Sequence, residues 1–149
     1  MAPKKGKETL LELCTSTITL GNSTAVHILE YLSDVKDPRH GVKELAAELL
    51  ETSRPLFPTK TGLTEAARYR TQFPAELTSE LQELLRQYNM NFVVLRQLVN
   101  KLLDNERKSG FSRLGNGFRM MFADTDIEKM RVSLVQCREA AGKLSLIHI

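Results

Sequence analysis

Tryptophan is absent from this 149-residue chain, and cysteine, histidine and proline number only two, three and five. Each scarcity closes a route. Cys14 and Cys137 share no CxxC or Cys/His spacing, so a zinc site has no basis. Both sit in apolar, helix-like surroundings, where cysteine acts as a small core residue in a reducing compartment. His27, His40 and His148 are far apart in sequence, and none falls in a catalytic pattern. No GxSxG, GxxxxGKS/T or HExxH motif occurs, so neither a catalytic residue, a cofactor, a metal nor a small-molecule substrate is expected. No apolar run reaches the ~18 residues of a conventional membrane span. The basic segment 1–7 is followed by no apolar signal core. A cytoplasmic location is therefore expected.

Strand signals are also missing. No stretch alternates β-branched and polar residues between hairpin turns. An ordinary share of apolar residues (42%) and of charge (26%) remains, as suits one globular domain. The 21 Lys and Arg against 18 Asp and Glu leave a formal charge of +3. That excess is too mild to imply nucleic acid without clustering on one face. Arg107, Lys108, Arg113 and Arg119 do gather in one stretch, and they form the candidate basic surface for a partner or an anionic membrane. Glu44 and Glu48 lie at helical spacing and read as an exposed helix face, because no Glu-x-x-His accompanies them.

Helical periodicity supplies the positive content. The fold expected is all-α: a single bundle of about four to six helices over residues 1–149, with residues 1–8 flexible. Apolar residues recur from Leu10 to Val35, where Gly21-Asn22-Ser23 predicts a kink or a break. Asp37-Pro38 predicts the start of a second helix, with Val42, Leu45, Ala46, Leu49 and Leu50 on one face. Pro55, Pro58, Gly62 and Pro74 predict an irregular loop over 54–74, with one or two helical turns over Leu63 to Tyr69. Residues 75–108 predict one long helix. Leu81, Leu85, Tyr88, Phe92, Leu95, Val99 and Leu102 form its seam, widened by Leu77, Leu84, Val94, Leu98 and Leu103. Phe111, Leu114, Phe118, Met121 and Phe122 form an aromatic connector. Thr125-Asp126-Ile127-Glu128 predicts a capping box, with Asp124 as a rival cap. The last helix then places Ile127, Met130, Leu134, Cys137, Ala141 and Leu144 on one face.

Residues 28–37, ILEYLSDVKD, resemble the YLxDVKDA segment of the fungal N-terminal domain that precedes NACHT, ankyrin or other repeat modules in STAND (NLR-like) proteins. Residues 42–50, VKELAAELL, look like that family's second helix. Phe111 to Phe122, Asp126 to Met130, and Leu134, Lys143 and Leu144 are similar to its C-terminal motif. The resemblance spans about residues 20–149 and implies a HeLo-like helical bundle. It also implies a non-enzymatic effector or adaptor domain of an immune-type receptor, acting through protein partners or self-association. The alternative it implies is a cell-death effector that is recruited to membranes and permeabilises them with its first helix. Leu10, Leu11, Leu13 and Ile18 are the candidate effector-helix face. The chain departs from the family in lacking Trp. Its Thr-rich first helix and Lys-rich start also depart, and both run against direct pore formation.

Overall fold

The computed structural model describes residues 8–107 and 124–148. Five helices and no strand occur among the described residues: α1 (Leu10–Asp34), α2 (Val42–Ser53), α3 (Leu56–Arg68), α4 (Ala75–Arg107) and α5 (Asp124–His148). The protein is an all-α bundle with one long helix, as the periodicity predicts.

α1, α2, α5 and α4 pack as neighbours around a ring in that order. Hydrogen bonds fix the helix directions. Asn89 Nδ2 donates to Thr17 Oγ1 and Arg96 Nη1 donates to Ser23 Oγ, so α1 and α4 run parallel. α4 and α5 run antiparallel, because Lys101 shares a groove with Asp126 and Leu84 shares another with Ala140. α2 and α4 are therefore diagonal partners, and the chain between them must cross one end of the bundle. α3 makes that crossing: Leu56 lies over Cys14 of α1, and Leu63 shares a pocket with Leu81 of α4 and Leu144 of α5. Across the diagonal, the Tyr88 hydroxyl donates to the Thr52 carbonyl at 2.9 Å. That carbonyl is in the last turn of α2 and has no intrahelical donor.

The seam on α4 is the core. Leu85, Tyr88, Phe92, Leu95, Val99 and Leu102 are buried, with Tyr88 and Phe92 edge to face at 5.8 Å. Leu81 is partly buried against them. The stripe is narrower than expected, because Val94 is 53% exposed on the outer side of α4. Leu50 is likewise 51% exposed and does not share the buried face of α2.

Four local expectations are corrected. No break occurs at Gly21-Asn22-Ser23; α1 is continuous. Gly21 is instead a point of close approach, since a Cβ there would lie 2.7 Å from the Phe92 ring. The threonines stay helical by donating to carbonyls one turn back, Thr17 to Leu13 and Thr24 to Leu20, both at 2.7 Å. Pro38 is not in a helical first turn: α2 starts at Val42, with Gly41 at φ 89° before it. The predicted loop 54–74 contains α3, which begins at Leu56, two turns before the helical turns expected from Leu63. Pro55 precedes it and Pro58 stands in its first turn, where no backbone N–H is required. α3 ends in a Schellman motif: Thr71 N–H donates to the Ala66 carbonyl, Arg70 N–H donates to the Ala67 carbonyl, and Arg70 takes φ 54°. The capping box is not at Thr125, which already lies inside α5, and Glu128 pairs with Arg131. A capping box does form at Thr9 and Glu12, opening α1.

Candidate functional site

A groove of about 400 Å³ runs between α4 and α5. Its floor and walls include Asn91, Val94, Leu98 and Lys101 from α4, and Lys129, Met130 and Ser133 from α5. Antiparallel packing brings these residues together across some forty positions of sequence, which is why no local pattern announces them. At the middle, Ser133 Oγ donates to Asn91 Oδ1 at 2.6 Å. Asn91 Nδ2 in turn donates to Cys137 Sγ at 2.9 Å and to the Gln87 carbonyl at 3.0 Å. Burial pushes the Cys137 thiol up, and the Asn91 hydrogen bond offsets only part of that. Burial raises Cys14 as well, against the charge of Lys60. Both thiols stay protonated at neutral pH, and neither is an activated nucleophile.

A second polar cluster ties α2 to α5. Glu48, with a side chain 12% exposed, accepts from Arg138 Nε at 2.8 Å. The Thr52 hydroxyl lies 2.9 Å from Glu48 Oε2 and 3.2 Å from the Leu134 carbonyl, sharing one proton between them. Burial alone would raise the Glu48 carboxyl. Hydrogen bonds from Arg138 and Thr52, with the charges of Arg138 and Arg131, outweigh it and hold the group below the usual carboxylate value. Glu48 is thus no free helix face. Its partner comes from ninety positions away, beyond the reach of helical spacing.

The third concavity, of about 450 Å³, lies where α3 crosses the bundle end. Pro58, Leu63, Phe73, Leu77, Leu81 and Leu144 line it, so its walls are apolar.

The candidate effector-helix face is turned to the protein. Ile18 is 8% exposed in the core, and Leu10, Leu11 and Leu13 are half-buried against it. Of the candidate basic surface, Arg107 ends α4, its side chain outside the described residues, as are Lys108, Arg113 and Arg119. The aromatic connector also lies outside them. His27 is half-buried, with Nδ1 2.8 Å from the Ser23 carbonyl. His40 is exposed just before α2. Among the described residues, no three His, Cys, Asp or Glu side chains gather as a metal site. Among them, too, no helix is long and apolar enough to cross a membrane.

No protein-family model, curated protein or solved structure matches the chain.

Proposed function

We propose that the chain is a non-enzymatic signalling module, the effector or adaptor end of a fungal NLR-like receptor, acting in the cytoplasm through helix-mediated self-association or partner binding. One observation carries this reading: the polar side chains at the centre of the α4/α5 groove are spent on one another, while Val94, Leu98 and Met130 line it together with Lys101, Asp126 and Lys129. Such a surface has the means to dock a helix and lacks an activated nucleophile to do chemistry on a substrate. The likeness of residues 28–50 to the fungal family supplies the receptor context, and the all-helical bundle agrees with it.

The test joins the chain to a ligand-dimerised domain in a fungal host. Growth arrest is expected only with ligand, and equal arrest without ligand overturns the clustering mechanism. Membrane permeabilisation by α1 is the competing reading. It requires Ile18 and Ile28, both core residues, to leave the bundle. Dye retention in anionic vesicles exposed to the intact chain is the expected result, and release of the dye replaces our reading with the membrane one.

A further inference from the structure

The outer side of α4 carries a second periodic stripe, opposite the buried seam. Glu83, Gln87, Met90, Val94, Gln97 and Lys101 follow steps of 4, 3, 4, 3 and 4. All six are exposed. Met90 at 65% exposure and Val94 at 53% form its centre, with Val93 beside them. Val94, Gln97 and Lys101 stand on the exposed rim of the α4/α5 groove, so the stripe runs beside that contact and adds no buried residue to it, and its coiled-coil spacing is left open to solvent.

The chemistry along the stripe is symmetric about residue 92 in position and opposite in charge at its ends. Glu83 mirrors Lys101, Gln87 mirrors Gln97, and Met90 mirrors Val94. A two-fold axis through that centre lays a second α4 antiparallel on the first. It brings each carboxylate to an ammonium, each glutamine to a glutamine, and each thioether to a valine. A parallel pair would set Glu83 against Glu83 and Lys101 against Lys101. Glu83 and Lys101 are 18 positions apart, about 27 Å along the helix at 1.5 Å per residue, so the charge pairs sit at the two ends of one continuous ridge.

We infer that this ridge is a homotypic docking surface and that its occupant is a second copy of this chain, bound α4 to α4 antiparallel. The inference rests on the reading of the chain as an interaction module and names its partner. Self-complementary patches are what a two-fold interface requires. The apolar centre is small, so the pair belongs to the weak, concentration-driven class that a receptor assembles by clustering.

Sedimentation equilibrium over rising concentration, with light scattering, tests it. The chain is expected to dimerise reversibly. Glu83→Lys and Lys101→Glu each place like charges at both ends of the pair, and each is expected to weaken dimerisation about tenfold. The double variant carrying both changes restores it. Mixing the two single variants is more demanding: one then has only cations at the stripe ends, the other only carboxylates, and they are expected to pair with each other better than with themselves. Met90→Glu abolishes the dimer while helical circular dichroism and the melting temperature stay unchanged. A chain that remains monomeric at millimolar concentration overturns the inference. A dimer indifferent to Met90→Glu and to both charge reversals overturns it too, but leaves an interaction module that uses another face. Failure of the ligand-clustering experiment alongside a charge-sensitive dimer removes the receptor function and keeps this interface.

Discussion

The bundle has two parallel helix pairs, α1 with α4 and α2 with α5, the second running from Gly41 against Ile127 to Thr52 against Leu134, and they are held by opposite means. α1 meets α4 through small and polar residues. Thr17, Gly21 and Thr24 let α4 come close, Phe92 lies on the backbone at Gly21, and Asn89 and Arg96 bond to α1 hydroxyls. α2 and α5, which pack together, bury the aliphatic Leu45, Leu49, Ile127 and Leu134, with Glu48 and Arg138 clasped at one side. The same parallel direction is held by close approach in one pair and by side-chain volume in the other. Close approach tolerates no added atoms. The filled interface tolerates shape changes but not an unpaired carboxylate.

The largest expected effect breaks the close pair at its centre. Phe92→Ala should cost about 3–5 kcal/mol in urea unfolding, because the ring fills the space between α4 and the Gly21 backbone. Gly21→Val should cost about 1–3 kcal/mol by overpacking. Phe92→Leu in that background should recover part of the loss, and a cycle showing no coupling would place the ring elsewhere.

A middle-sized effect tests the filled pair. Glu48→Gln should lower stability by about 1 kcal/mol at pH 7. The sign with pH follows from the lowered carboxyl. Its stabilisation is present above the unfolded carboxylate value and is lost as pH falls through the folded value. The variant should therefore flatten the acid limb of the stability profile and converge with the parent at low pH. Phe92→Leu should leave that limb unchanged.

The smallest effect concerns the crossover that makes both pairs parallel. Arg70 holds a left-handed conformation at the end of α3. Arg70→Gly should raise stability by about 0.5–1 kcal/mol, the relief of the Cβ clash less the entropy that glycine adds to the unfolded chain. A loss in thermal midpoint would mean the Schellman turn is held by the arginine side chain.

The residues most easily read were those whose partners are one turn away. The α4 seam from Leu85 to Leu102 stands in the core as its spacing predicts. Only the second half of α3, from Leu63, was legible, because prolines in a first turn look like loop punctuation and because the helix's terminal left-handed residue is an arginine. Gly21 carried the right signal with the wrong meaning. A glycine that breaks a helix and one that admits a neighbouring ring are identical in sequence, and only Phe92 separates them. The α4/α5 groove had no local signature, since Asn91, Ser133 and Cys137 meet only when two helices turn back on each other.

The order of side chains along the chain was enough to make this protein helical and to give α4 its length and buried ridge. Those features depend on spacings of three and four residues, which the backbone helix converts directly into faces. The ring order of the helices, the diagonal crossing by α3, the seat of Phe92 on Gly21 and the clasp of Glu48 by Arg138 were decided by the tertiary structure. Each of these joins residues dozens of positions apart, and which partners meet depends on how whole helices fill one shared core.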